Sequence, residues 1–175
     1  RCCSSAASDV YKRQVIGVDI SEQMLNVGRE KITKMKLTKS VRLESGDAEN
    51  LNFKDNYFDL VTIGFGVRNF QDLEKGLSES LRVLKVKGTL IVLETSVPEN
   101  RIMKLFYSIF TRTYIPIMAM IFSKDKSAYN YLLNSAELFP SGTKFSNILK
   151  SVGFADVLIK PKLFGSSTIY VCKKK

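Results

Sequence analysis

Residues 58–65 read Phe-Asp-Leu-Val-Thr-Ile-Gly-Phe, a run that is nearly all apolar. A strand with one face in water alternates apolar and polar residues, and a strand covered on both faces loses that alternation. The run therefore predicts a strand inside a sheet covered on both sides. Working outward, Val15 to Ile20 (VIGVDI), Val41 to Glu44 and Thr89 to Glu94 read as further short strands, the last entered through Gly88. Ser21 stands where a helix N-cap belongs, and Met24, Leu25, Gly28 and Ile32 continue at helical spacing to about Met35. Asp72 to Leu84 sets Leu73, Leu77, Leu81 and Leu84 on one helical face. Strands alternating with helices predict a parallel α/β sheet.

Pro98 marks a change. Residues 98–139 contain no convincing strand and predict a helical insertion, broken at Pro116, that could cap a substrate. Phe139-Pro140-Ser141-Gly142 reads as a loop, and Thr143 is predicted to cap a helix that runs to Val152 and ends at Gly153. Val157 to Leu163 and Ser167 to Cys172 are the last strands, with Pro161 placing the first of them at a sheet edge. Residues 1–14, RCCSSAASDVYKRQ, show no periodicity and read as an artefact or foreign junction, which leaves 15–175 as one domain.

Composition narrows the chemistry. With 45% hydrophobic and 25% charged residues over 175 positions, the chain is ordinary globular material. Its net charge of +10 fits either a solvated lysine-rich surface or attraction to an anionic membrane. Basic residues are not interleaved with aromatics, and the only dense cluster is Lys173-Lys174-Lys175, so a nucleic-acid partner is not expected. Three cysteines without a C-x-x-C speak against a disulfide framework and a zinc site, and fit a reducing compartment. The absence of histidine removes imidazole bases, Ser-His-Asp triads and histidine-held metals. Ile102 to Phe122 is the most apolar stretch, but its longest uncharged part, Thr113 to Ser123, falls short of the roughly 20 residues a spanning helix needs. It suits an interfacial or substrate-covering helix pair.

Open α/β sheets bind ligands beyond the carboxyl ends of their strands. The candidates are therefore Asp19, Asp47 with Ala48, Gly64 to Asn69, and Glu94. A carboxylate at Asp19 could accept from two ribose hydroxyls or simply flank a helix N-terminus. Gly46-Asp47-Ala48 could meet an adenine or form an ordinary turn. At Gly64-Phe65-Gly66 the backbone can approach a ligand closely, and Arg68 and Asn69 could bind or polarise a substrate oxygen.

The order of the motifs is more specific than any one of them. Asp19-Ile20-Ser21-Glu22-Gln23-Met24-Leu25, Gly46-Asp47-Ala48-Glu49-Asn50-Leu51, Phe58-Asp59-Leu60-Val61 and Arg82-Val83-Leu84-Lys85-Val86-Lys87-Gly88 together resemble class I S-adenosylmethionine methyltransferases. Phe65-Gly66-Val67-Arg68-Asn69, the stretch RVLKVKGTLIVLETS (82–96), SKDKSAYNYL (123–132) and Phe139-Pro140-Ser141-Gly142 resemble the ubiquinone/menaquinone C-methyltransferases.

That resemblance implies a Rossmann-like sheet and S-adenosyl-L-methionine as cofactor. It implies C-methylation of a prenylated quinol, demethylmenaquinol to menaquinol, without a metal, with methylation of another small or lipid substrate, or a non-catalytic methyltransferase-like binding module, as the alternatives. Asp19, Asp47, Ala48 and Gly64 then fall at cofactor positions, Arg68 is expected to stabilise a developing phenolate, and Asn69 and Tyr129 lie on the substrate side. A cytoplasmic protein, peripheral at the inner face of the membrane, and an oligomer are both compatible with it. Replacing Arg68 with Ala in a full-length version is expected to cut turnover sharply while leaving the fold intact.

Two departures stand out. The family's Pro-Gly-Gly after RVLK is Val86-Lys87-Gly88 here, and nothing in residues 1–14 matches the family's first strand and glycine-rich loop. The sheet is thus expected to lack a central strand, and the chain as given to bind the cofactor poorly.

Overall fold

In the computed structural model the FDLVTIGF run forms β4 (Phe58–Gly64) within a seven-stranded sheet. The structure describes residues 3–4, 14–98, 100–109, 113, 131, 135, 136 and 138–175. The strands are β1 (Cys3–Ser4), β2 (Val15–Asp19), β3 (Val41–Ser45), β4, β5 (Leu84–Thr95), β6 (Phe154–Lys162) and β7 (Ser167–Lys174). They lie side by side in the order β3-β2-β1-β4-β5-β7-β6. Helices α1 (Glu22–Lys34), α2 (Leu73–Val83), α3 (Arg101–Ile109) and α4 (Thr143–Val152) connect them.

The predicted parallel pairs are present. Val15 to Asp19 run alongside Val41 to Ser45, and Leu60 to Gly64 alongside Thr89 to Leu93. The sheet is mixed rather than all parallel, because β7 is antiparallel to both β5 and β6. A short loop at Leu163–Gly165 permits only that hairpin return. Pro161 lies in β6, an edge strand, where a missing N–H costs least.

Three local features depart from the sequence reading. First, the centre of the sheet is not empty. Cys3 and Ser4 stand between β2 and β4, antiparallel to both, paired with Val18 and Gly17 on one side and with Ile63 and Thr62 on the other. The facing edges of β2 and β4 carry N–H and C=O groups that need partners, and two residues supply some of them.

Second, β5 begins at Leu84, five residues before Thr89. The Val86-Lys87-Gly88 segment is a bulge within the strand: Phe58 pairs with Leu84 and Leu60 already with Thr89. Lys87 has φ 64°, and a Cβ on Gly88 would lie 2.7 Å from the Lys85 carbonyl oxygen. Third, Thr143 does not cap α4. Gly142, with φ 66°, holds the N-cap position and no side chain caps the helix, while Gly153 closes it in the left-handed region as expected.

The core is built where α2 and α4 meet the sheet. Leu77 and Val83 of α2, Phe145 and Leu149 of α4, Leu90 and Val92 of β5, and Tyr170 and Cys172 of β7 are all buried in one cluster. Phe139, Phe145 and Tyr170 pack ring to ring at 4.9 and 4.8 Å, and the Tyr170 hydroxyl accepts the Gly142 N–H at 2.6 Å. The Phe-Pro-Ser-Gly loop is thereby tied to the sheet. Among the described residues, no helix is long and apolar enough to cross a membrane. Most of the predicted insertion at 98–139 lies outside the described residues; α3, Tyr131, Ser135, Ala136 and Leu138 within it are helical.

Candidate functional site

The parallel register of β2 and β3 brings the ends of the two strands together, Asp19 opposite Ser45. The chain leaves β3 through Gly46, whose N–H donates to the Asp19 carbonyl at 3.2 Å. Asp19 is buried, and its Oδ1 accepts the Ser21 N–H at 2.8 Å, just ahead of α1. Burial pushes its pKa up and the hydrogen bond from the Ser21 amide pulls it down, and on balance the carboxyl lies below its ordinary value. The acid thus stays ionised at neutral pH.

Asp47 folds its own turn: its Oδ1 accepts the Glu49 N–H at 2.9 Å, and its carbonyl accepts the Asn50 N–H at 3.0 Å. Glu49 then reaches across to the loop after β4, where its Oε1 accepts the Gln71 N–H at 2.6 Å. These links close a cleft of about 150 Å³, lined by Asp19, Asp47, Ala48 and Asn69 together with Gly46 and Gln71. Four of the expected site residues therefore converge. Gly64 ends β4, and a Cβ on it would meet nothing within 4 Å, so space lies beside it.

Arg68 is placed differently. It lies in the 3₁₀ turn Val67–Asn69, and its side chain is 4% exposed. Its Nη1 donates to Oε1 of Glu94, which is fully buried on β5. Glu94 also accepts the Thr95 N–H at 2.8 Å and, at 3.4 Å, the Arg68 amide. The Arg68 guanidinium carbon stands 6.0 Å from the Phe65 ring centroid. Among the described residues, its Nε is buried without a hydrogen-bond partner.

This corrects the expected effect of Arg68→Ala. Losing the cation strands a buried carboxylate, so the substitution is expected to cost the fold about 3–5 kcal/mol. Tyr129 lies outside the described residues. Tyr131, two positions on, donates its hydroxyl to Asn69 Oδ1 at 3.0 Å and joins the 98–139 segment to the cleft rim. Glu49, Gln71 and Tyr131 were not singled out from the sequence. Glu49 lies inside the quoted Gly46–Leu51 block, but nothing local distinguishes its bridging role.

A sequence profile of known proteins matches residues 3–174, nearly the whole chain, and it is that of the ubiE/COQ5 methyltransferases. The chain belongs to the ubiE/COQ5 methyltransferase family. Relatives within reach of this ubiE/COQ5 chain include a demethylmenaquinone methyltransferase of Bacteroides fragilis, 43% identical over 169 residues, covering 97% of this chain and 69% of that one. A ubiquinone/menaquinone biosynthesis C-methyltransferase of Geobacter sulfurreducens is 40% identical over 160 residues, covering 91% of this chain and 62% of the other. The chain thus spans about two-thirds of the length of these relatives.

Solved structures of SAM-dependent methyltransferases share the fold. One from Aquifex aeolicus superposes with a TM-score of 0.66 at 18% identity, over 95% of this chain and 71% of its own. One from Thermotoga maritima gives 0.61 at 22% identity, over 91% and 72%. The sheet is the Rossmann-like sheet of that fold.

Proposed function

We propose that this polypeptide carries the catalytic rim of an S-adenosylmethionine-dependent C-methyltransferase that converts demethylmenaquinol to menaquinol at the cytoplasmic face of the membrane. The observation that carries the reading is the convergence of Asp19, Asp47, Ala48 and Asn69 on one cleft at the carboxyl ends of β2, β3 and β4. The substrate class follows from the relatives, which are named for demethylmenaquinone and ubiquinone/menaquinone methylation.

The residues present fit the adenosyl part of the cofactor. Asp19 offers an ionised, buried carboxylate to paired ribose hydroxyls, and the Asp47–Ala48 turn offers a side-chain acceptor and a backbone donor to an adenine edge. Gly64 leaves its strand end open for a ligand. When bound, the cofactor supplies a methyl group already activated on its sulfonium.

What remains for the protein is to orient the quinol and favour loss of a ring-hydroxyl proton to water, which makes the ring carbon nucleophilic. Arg68 is the residue assigned to that task. Glu94 holds one end of its guanidinium, the cation stabilises the phenolate through its charge, and its Nε–H, without a partner among the described residues, is the donor that quinol entry would have to uncover. Asn69, tied to Tyr131, positions the ring.

The test is a chimera in which the Bacteroides fragilis relative supplies all residues up to the position aligned with Gln14 and this chain follows from Val15. With cofactor labelled on its methyl group, the chimera is expected to label demethylmenaquinol faster than a ubiquinol precursor. A folded chimera that labels neither quinol would overturn the reading.

A further inference from the structure

The loop between β6 and β7 turns two bulky apolar residues into water. Leu163 and Phe164 are 75% and 86% exposed. Both have left-handed backbone, with φ 47° and 57°, which residues carrying a Cβ rarely adopt. The tip is nevertheless firmly held. Ser96 Oγ donates to the Gly165 carbonyl at 2.7 Å, Ser96 N–H to the Ser166 carbonyl at 3.0 Å, and Ser166 N–H to the Leu163 carbonyl at 3.1 Å. Strain kept in place by three hydrogen bonds, with apolar side chains left outside the core, marks a surface shaped for contact.

The tip has a neighbour of the same character. A Cβ on Gly165 would lie 3.3 Å from Pro98 Cα, so the tip packs against the residue that leads into α3. On α3, Ile102, Leu105 and Ile109 recur at spacings that share one helix face, and all three are exposed. Among the described residues of α3 and β6, the exposed charges are Arg101, Lys104, Lys160 and Lys162, with Asp156 at the opposite end of β6 from the tip. Residues 101–109 of α3 and 157–166 leading through the tip contain neither Asp nor Glu. A cleft of about 440 Å³ whose wall includes Ser96, Leu163 and Phe164 lies beside the tip.

We propose that this face docks on an anionic bilayer, with Leu163 and Phe164 entering the interfacial layer while Arg101, Lys104, Lys160 and Lys162 meet lipid phosphates. Apolar wedges ringed by cations bind anionic membranes through both terms at once. A second copy of the chain is the poorer occupant, because a two-fold contact would set the same cations against one another. The inference deepens the quinol reading by naming the surface through which a prenylated substrate's bilayer is met.

The chain contains no tryptophan, so Phe164→Trp introduces a single fluorescent reporter. The full chain with that substitution is mixed with vesicles of phosphatidylcholine alone, or of phosphatidylcholine and phosphatidylglycerol in equal parts. Emission is expected to shift to the blue and be quenched by brominated acyl chains on the anionic vesicles, and to change little on the neutral ones. Co-sedimentation should weaken about fivefold for each of Lys160 and Lys162 replaced by Gln, and be lost in L163S/F164S.

Unchanged tryptophan emission on anionic vesicles would overturn the proposal. So would full vesicle binding by L163S/F164S, or a dimer in sedimentation that this double variant dissolves. If the double variant fails to fold, the tryptophan measurement still decides. Neither cofactor nor quinol enters these assays, so docking and methyl transfer can fail independently of each other.

Discussion

Arg68 and Glu94 form an ion pair sealed from water, the first in the turn after β4 and the second on β5, with side chains 4% and 0% exposed. Twenty-six residues separate them in the chain, and Glu94 anchors both the guanidinium and, more weakly, the backbone of Arg68. Breaking such a pair on one side leaves a charge with neither solvent nor partner.

Each single substitution, Arg68→Met or Glu94→Leu, is therefore expected to lower unfolding free energy by about 3–5 kcal/mol, and the double substitution by clearly less than the sum. Denaturant midpoints for the four proteins of the cycle measure this. Additive losses would mean that the two charges do not depend on each other.

Cofactor affinity should separate the chain from the chimera. On the proposed reading the described cleft receives the adenosyl end, and residues 1–14 match no glycine-rich loop for the methionine end. Calorimetry on the chain alone is expected to detect no micromolar binding of S-adenosylmethionine. In the chimera, Asp19→Asn should weaken binding by about one to two orders of magnitude, as loss of a hydrogen bond to an ionised group does. Micromolar binding by the chain alone would show that the rim suffices.

A second charged network predicts acid sensitivity. Arg82 donates to both oxygens of Glu79 at 2.7 and 2.8 Å, and to the carbonyls of Leu51 and Phe53 at 2.8 and 2.7 Å. It clips α2 to the segment that follows the Asp47 turn. Hydrogen bonding from Arg82 holds the Glu79 carboxyl below its ordinary value of 4.5, against the effect of burial. A depressed folded pKa means that the stabilisation is fully present above about 4.5 and is lost as pH falls through the folded value. Glu79→Gln should flatten the stability profile in that acid window. An unchanged slope would show that the network contributes nothing to it.

Cys172 is fully buried on β7, and burial pushes its thiol pKa up to about 12. Only the thiolate reacts at appreciable rate. At mildly alkaline pH, iodoacetamide should leave Cys172 unlabelled in the native chain and label it fully in denaturant, as read by mass spectrometry of its peptide. Rapid labelling of the native chain would mean that β7 opens readily.

The pattern of strands and helices was legible because burial imposes periodicity on neighbouring residues. FDLVTIGF and TLIVLE bury one face fully, through Val61, Ile63, Leu90 and Val92, and leave Leu60, Ile91 and Leu93 half-buried on the other, so the expected cover on both faces is only partial among the described residues. Ser21 and Gly153 mark helix ends by local hydrogen bonding and backbone conformation. The site was half legible for the same reason. Strand-end positions follow from strand assignments, so Asp19, Asp47, Ala48 and Asn69 could be named before they were seen to meet. The Val86-Lys87-Gly88 bulge was not, because it depends on the register of β5 against β4.

The residues alone determined the α/β class, the order of the motifs and which side chains stand at the ends of strands, since each is written in short stretches of chain. Only the folded molecule decided that Arg68 is committed to Glu94, that Glu49 bridges to Gln71, and that two residues running backwards hold the centre of the sheet. Those outcomes join groups that are distant along the chain, and partners of that kind are selected by burial and unsatisfied hydrogen bonds, which exist only once the strands lie side by side.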